Sequence, residues 1–150
     1  MVYFDESGFE EEVIRRHAWA PKGKKIYGDF AGSKRKRTNL IMAQRGNAWL
    51  TPMIFEGSCH APLVEAWIEK MLWPQLKEPS VIIMDNASFH NRRKIAEIRA
   101  RDGHVRLPLP PYSPDLNPIE QSFAVLNKRR ELTVPPPTLE TLIMSNYGLR

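Results

Sequence analysis

The feature that most constrains the fold is a short apolar run that ends in a carboxylate. Residues 81–84 read Val-Ile-Ile-Met, and Asp85 follows directly. Four apolar residues, three of them β-branched, indicate a strand that is buried on both faces. Ligands of open α/β sheets bind beyond the C-terminal ends of such strands, which is where Asp85 would lie. Asp85 is therefore a candidate functional residue, and a turn that merely ends the strand is the alternative.

A second apolar run leads to another carboxylate at the N-terminus. Residues 2–4 read Val-Tyr-Phe and are followed by Asp5, Glu6 and Ser7. The pattern predicts a second buried strand that brings Asp5 to the edge of the core, with a solvated acidic pair as the alternative. Because side chains alternate along a strand, Glu6 would face away from Asp5. Asp5 is the better candidate for a metal ligand.

A third carboxylate follows a proline-rich stretch, residues 107–118. Asn117 as N-cap, Pro118 as the first helical residue and Glu120 three residues after the cap predict the start of a helix. Glu120 could serve only to cap this helix. A carboxylate at a helix N-terminus could also face the loops where Asp5 and Asp85 emerge.

Three carboxylates at one place raise one another's pKa unless a positive charge lies among them. Mg²⁺ or Mn²⁺ binds oxygen ligands and is typically held by carboxylates together with substrate phosphates. Two such ions, about 3.5 to 4 Å apart, can activate water and stabilise the leaving oxygen of a phosphodiester. The three carboxylates therefore predict phosphodiester chemistry.

Three blocks of the sequence resemble the signature blocks of a known family. Residues 4–9 read Phe-Asp-Glu-Ser-Gly-Phe, residues 84–90 read Met-Asp-Asn-Ala-Ser-Phe-His, and residues 112–120 read Tyr-Ser-Pro-Asp-Leu-Asn-Pro-Ile-Glu. They resemble the DDE transposases of the mariner superfamily, in its bacterial insertion sequence 630 branch. Thirty-four residues separate Asp85 from Glu120, which is the spacing of that group. The resemblance covers roughly residues 1 to 128.

The resemblance implies an α/β domain with the ribonuclease H-like fold, a mixed five-stranded sheet with helices on both faces. Asp5 would lie on the first, central strand, Asp85 on the adjacent fourth strand and Glu120 on a following helix. These three residues would be catalytic and would bind two Mg²⁺ or Mn²⁺ ions. The implied activity is metal-dependent cleavage at transposon ends, followed by attack of the freed 3′-hydroxyl on target DNA.

The other predicted elements fit one domain over residues 1–132. Strands are expected at 13–19, 24–30, 38–43 and 48–55, with a turn at residues 45–47, and they would extend the opening antiparallel meander. Apolar residues at helical spacing predict a helix from residue 61 that ends at Pro74. A basic helix over 91–101 with Gly103 as its C-cap, a strand over 105–109 and a helix over 118–132 complete the domain.

Two groups of polar residues are candidates for secondary roles. Asn86 and His90 follow Asp85 closely, so either could contact a metal-bound water or a phosphate. The favoured interpretation of His90 is that it orients its neighbours or packs as a hydrogen-bonded histidine. Basic residues in two runs could contact DNA phosphates or form solvated surfaces. These residues are Lys34, Arg35, Lys36, Arg37, Arg92 and Arg93.

Composition narrows the class of protein. The 150 residues carry a net charge of +5, which suits a polyanionic partner such as DNA. No stretch approaches the roughly 18 apolar residues of a membrane span, and the acidic N-terminus does not resemble a secretory signal, so we expect a cytoplasmic protein without a membrane partner. The single cysteine, Cys59, excludes an internal disulfide and is interpreted as a bystander.

The sequence departs from the resembling family at both ends. Pro135, Pro136 and Pro137 interrupt the last helical pattern, so residues 133–150 are expected to form an atypical, truncated or frameshifted tail with one short helix over 138–145. Met1 stands four residues before Asp5, and no segment predicts a helix-turn-helix recognition unit. We therefore expect a catalytic half that acts as a homodimer or with a separately encoded helix-turn-helix half.

Two other functions remain open at this stage. One is a stand-alone ribonuclease H-like nuclease that acts on RNA–DNA hybrids or junctions. The other is an inactive fragment that only binds DNA or the full-length enzyme and interferes with transposition.

Overall fold

A mixed five-stranded sheet carries both predicted site strands. The structure is a computed structural model and describes residues 1–10, 22–23, 36–85, 103–110 and 113–147. Its strands are β1 (Val2–Glu10), β2 (Arg37–Arg45), β3 (Ala48–Glu56), β4 (Val81–Met84) and β5 (Val105–Pro108). Its α-helices are α1 (Ala61–Trp67), α2 (Trp73–Gln75), α3 (Pro118–Leu132) and α4 (Leu139–Tyr147).

The strand order is β3-β2-β1-β4-β5, so β1 lies at the centre. β1, β2 and β3 are paired antiparallel, as predicted for the strands at 38–43 and 48–55, whereas β4 pairs in parallel with both β1 and β5. β1 is longer than the apolar run of residues 2–4 predicts, because its residues pair with β2 from Tyr3↔Gln44 to Glu10↔Arg37. Backbone pairing therefore extends the strand through polar residues.

The β2–β3 hairpin contains the predicted turn and a bulge that the sequence did not indicate. Gly46 in the turn has a φ of 58°, a left-handed conformation that suits glycine. The register moves from Ile41↔Met53 to Ala43↔Leu50, which leaves one extra residue on β3. Thr51 lies in this bulge with a φ of 48°. The bulge also accommodates Pro52, which cannot donate a ladder hydrogen bond.

The helical segment after β3 covers one face of the sheet. Trp67 of α1 stacks on Phe4 with ring centroids 5.2 Å apart, and its Nε1 donates to the Thr51 carbonyl at 2.9 Å. The segment passes through a π-helical turn at Ile68–Leu72 that the sequence did not indicate, and it ends at Gln75, one residue after the predicted stop at Pro74. The wider turn suits Pro74, which has no N–H and would crowd the preceding turn of a regular α-helix.

Helices α3 and α4 cover the opposite face, so the prediction of helices on both faces is confirmed. Phe123 of α3 meets Phe9 of β1 edge-on with ring centroids 6.3 Å apart. The predicted short helix is present as α4, and Thr138 caps it, because its Oγ1 accepts the Thr141 N–H at 3.2 Å. Buried side chains of α4 join the cluster of α3, namely Leu139, Leu142 and Ile143. The chain after the prolines therefore packs on the core.

Some predicted elements lie outside the described residues, namely the strands at 13–19 and 24–30 and most of the basic helix at 91–101. Gly103, its predicted C-cap, has a φ of 72°. The predicted strand over 105–109 is present as β5. Within the part of the chain that the structure describes, no helix is both long and apolar enough to cross a membrane.

Candidate functional site

Asp5 and Asp85 lie side by side at one edge of the sheet. The parallel pairing of β1 with β4 ends at Phe4↔Met84, and each of these residues is followed by one of the two aspartates. The equal register follows from the two apolar runs, which pair residue by residue from Val2↔Ile82 onwards. This edge is the C-terminal end of β4, where its pairing with β1 stops although β1 itself continues to Glu10, and α/β proteins bind ligands at the C-terminal ends of parallel strands.

The start of α3 reaches the same edge through Asn117. The Asn117 side chain is 2% exposed, and its Nδ2 donates to Oδ2 of Asp5 at 3.1 Å. Its carbonyl accepts the Glu120 N–H at 3.1 Å, so the helix begins as predicted. The predicted capping by the Asn117 side chain is wrong, because that side chain makes no hydrogen bond to the helix. The contact with Asp5 takes its place.

Burial and neighbouring charges change the acidity of Asp5. Burial raises its pKa from 3.8 to about 7, the Glu6 N–H that donates to Oδ1 at 2.8 Å opposes the rise, and the charges of Asp85 and Glu120 add to it. The charges of the two other predicted carboxylates therefore act on Asp5. Glu120 itself is exposed to solvent on the first turn of α3.

Glu6 lies on the opposite face from Asp5, as the alternation along β1 predicted, but it is not a solvated residue. Burial, followed by the charges of Asp5 and Asp85, raises its pKa from 4.5 to about 8. Its Oε2 is buried and has no hydrogen-bond partner among the described residues. The alternation along the strand predicted the face on which Glu6 lies, but nothing in the sequence indicated that its side chain is buried.

Cys59 is close to the same acidic edge. Burial raises the pKa of its thiol from 9.0 to about 11, and the charges of Glu6 and Asp85 add to the effect. A thiol with a raised pKa is a poor nucleophile and a poor metal ligand at neutral pH. These properties agree with the interpretation of Cys59 as a bystander.

The donor set suits a hard divalent cation. Asp5 and Asp85 share one edge, and a nearby third carboxylate belongs to Glu120. Burial first, and the charges of Asp85 and Glu120 after it, raise the pKa of Asp5, and a bound cation would oppose that rise. Within the described ranges, no three His, Cys, Asp or Glu side chains are already arranged as a cation site. The residue types fit Mg²⁺ or Mn²⁺.

The secondary candidates are described only in part. Lys36 forms an ion pair with Glu56 at 2.9 Å on the surface. The Arg37 guanidinium lies over Gly8, where a Cβ would overlap it. Both side chains are exposed, so they remain candidates for phosphate contact. The other candidates lie outside the described residues, namely Lys34, Arg35, Asn86, His90, Arg92 and Arg93.

A family model described as DDE superfamily endonuclease matches residues 1–143. A comparison with curated proteins finds no match. Among solved structures, the chain is similar to the Mos1 transposase paired-end complex with left transposon end, with 17% identity and a TM-score of 0.77 over 99% of this chain and 48% of that chain. A Mos1 mariner paired end complex with Mn gives 17% identity and a TM-score of 0.70 over the same shares.

The catalytic domain of Mos1 mariner transposase is also similar, with 14% identity and a TM-score of 0.60 over 99% of this chain and 70% of that chain. The chain spans about half the length of the Mos1 chains in the two paired-end complexes. These likenesses confirm the predicted ribonuclease H-like fold. The family model confirms the resemblance inferred from the three sequence blocks.

Proposed function

Because the chain belongs to the DDE superfamily endonuclease family, we propose that it is the catalytic domain of a transposase. In this proposal it cleaves DNA at transposon ends and joins the freed 3′-hydroxyl to target DNA. Asp5, Asp85 and Glu120 are the proposed catalytic residues, and they are also the proposed ligands of two Mg²⁺ or Mn²⁺ ions.

The observation that carries the proposal is the meeting of three distant sequence blocks at one edge of the sheet. The β1–β4 register places Asp5 beside Asp85, and the Asn117–Asp5 hydrogen bond brings the start of α3 to the same edge. No local feature of any one block requires this convergence. A carboxylate cluster at the ligand-binding edge of a sheet supports metal-dependent phosphodiester chemistry.

Each residue has a distinct part in the proposed chemistry. In this proposal the central strand β1 carries Asp5, the residue that follows β4 is Asp85, and the first turn of α3 supplies Glu120. When bound, the metal ions activate the attacking water or 3′-hydroxyl and stabilise the leaving oxygen. The Glu6 N–H and the Asn117 amide orient the two oxygens of Asp5, which keeps that side chain in one conformation.

DNA is the proposed partner. The Mos1 relatives were solved with transposon ends and in paired end complexes with Mn and with Mg. The net charge of +5 and the exposed Lys36 and Arg37 support contact with phosphates. We further propose that the protein works in the cytoplasm, and that a homodimer or a separately encoded helix-turn-helix half supplies recognition of the ends.

A plasmid-nicking assay tests the function. We expect the purified chain to nick supercoiled DNA with Mg²⁺ or Mn²⁺ and to be inactive with EDTA. Ca²⁺ should bind yet support little cleavage, because its coordination geometry is looser. The Asp85→Asn variant should lose cleavage, whereas the control Glu69→Gln, which neutralises an exposed carboxylate outside the three sequence blocks, should retain it. Cleavage at the normal rate by folded Asp85→Asn would contradict the assignment.

A second substrate separates the two alternative functions. Preferential cleavage of an RNA–DNA hybrid would favour a ribonuclease H-like nuclease. Retained DNA binding without cleavage by the wild-type chain would favour the interfering fragment.

A further inference from the structure

Asn117 connects two of the proposed metal ligands. Its side-chain Nδ2 donates to Asp5 Oδ2 at 3.1 Å, and its backbone carbonyl accepts the N–H of Glu120 at 3.1 Å. One residue therefore contacts a ligand on the central strand through its amide and a ligand on α3 through its backbone. The side chain is almost fully buried, so water competes little for the bond to Asp5.

The side chain of Asn117 does not do what an asparagine at this position usually does. An N-cap asparagine normally accepts an N–H of the first helical turn through its side-chain oxygen. Here the side chain makes no capping bond, and its Oδ1 is buried without a hydrogen-bond partner in the described part of the chain. Stabilisation of the helix end therefore does not explain the residue. Its one described side-chain bond is to Asp5.

The direction of that bond is chemically specific. An ionised carboxylate only accepts hydrogen bonds, and of the two groups in the amide only the NH₂ can donate. The Glu6 N–H already donates to Asp5 Oδ1, so Asn117 holds the other oxygen. With both oxygens held, the carboxylate has little freedom to rotate. Its remaining lone pairs keep a constant direction.

We propose that Asn117 is a positioning residue that orients Asp5 and sets its separation from Glu120. The inference rests on the proposed function, since it assigns Asn117 a part in metal binding at that site. Hydrogen-bond partners of metal ligands typically contribute about 10- to 100-fold to metal affinity. Loss of the amide should therefore weaken metal binding without preventing folding.

The test compares Asn117→Ser with wild type by titration with Mn²⁺, using calorimetry and the electron paramagnetic resonance signal of unbound Mn²⁺. Serine is a good N-cap, but its side chain is too short to replace the amide at Asp5. We expect at least about tenfold weaker Mn²⁺ binding, with a urea-unfolding midpoint at or above that of wild type. The matched control is Asn127→Ser, which makes the same change at an exposed position of α3 and should bind as wild type does.

Asn117→Ala is measured in parallel, because it removes the same hydrogen-bond donor. If only one of the two Asn117 variants folds, the Mn²⁺ affinity of that variant decides the test. Wild-type Mn²⁺ affinity in a folded Asn117 variant would overturn the inference and leave the proposed function intact. A wild-type chain that binds no Mn²⁺ would overturn the proposed function and the inference with it. Weakened binding in Asn117→Ser, with unchanged binding in Asn127→Ser, would support positioning by Asn117.

Discussion

The strongest physical prediction concerns the pH dependence of stability when metal is absent. Burial and neighbouring charges raise the pKa of Asp5 from 3.8 to about 7. Between these values the folded state binds more protons than the unfolded state, so the free energy of unfolding falls as the pH rises. The contribution of protonated Asp5 to stability is fully present below pH 3.8 and is lost as the pH rises through 7. Replacing Asp5 by Asn removes this dependence, because the amide does not titrate.

The size of the effect follows from the pKa change. One pKa unit corresponds to about 1.4 kcal/mol, so the rise from 3.8 to about 7 corresponds to about 4 kcal/mol. This is a large fraction of the stability of an ordinary domain, which is about 5 to 15 kcal/mol. The free energy of unfolding of Asp5→Asn, relative to that of wild type, should therefore be up to about 4 kcal/mol higher at pH 8 than at pH 4.

The measurement is urea unfolding in EDTA at pH 4 and pH 8, followed by tryptophan fluorescence. The matched control is Asp115→Asn, which neutralises an exposed carboxylate and should change stability by less than about 0.5 kcal/mol at either pH. A difference between Asp5→Asn and wild type that stays the same at both pH values would refute the reasoning. It would mean that the Asp5 carboxylate is neither desolvated nor close to other charges.

Three further predictions concern metal binding, the core and one close contact. In urea unfolding, Mn²⁺ at about 100 times its Kd should raise the free energy of unfolding of wild type by about 2.7 kcal/mol and leave that of Asp85→Asn unchanged. An equal rise in both proteins would exclude Asp85 as a ligand. Leu126→Ala should lower the free energy of unfolding by about 2 to 5 kcal/mol in the same urea measurement, because Leu126 is fully buried. The control Leu132→Ala, at a side chain that is 71% exposed, should lower it by less than about 0.5 kcal/mol. Gly8→Ala should displace the Arg37 guanidinium and weaken DNA binding as much as Arg37→Ala does. Additive losses in the double variant would show that the two residues act separately.

Local patterns in the sequence predicted most of the regular structure. Apolar runs indicated β1 and β4, helical spacing indicated α1, and the Asn-Pro pair indicated the start of α3, because each signal depends on residues within a few positions of one another. The same patterns placed Asp85 directly after its strand, whereas Asp5 lies within β1, which continues to Glu10. The resemblance of the three blocks then implied the fold and the site.

Other features depend on contacts between residues that are far apart in the chain. The extension of β1 to Glu10 depends on pairing with β2, and the π-helical turn at Ile68–Leu72 has no signal in the local apolar pattern. The burial of Glu6 and the choice of Asp5 as the partner of the Asn117 amide also depend on distant segments. Sequence alone therefore determined which residues could form the site and where each strand or helix would present them. Only the tertiary structure decided which of them meet, because desolvation and hydrogen-bond geometry arise when separate elements pack together.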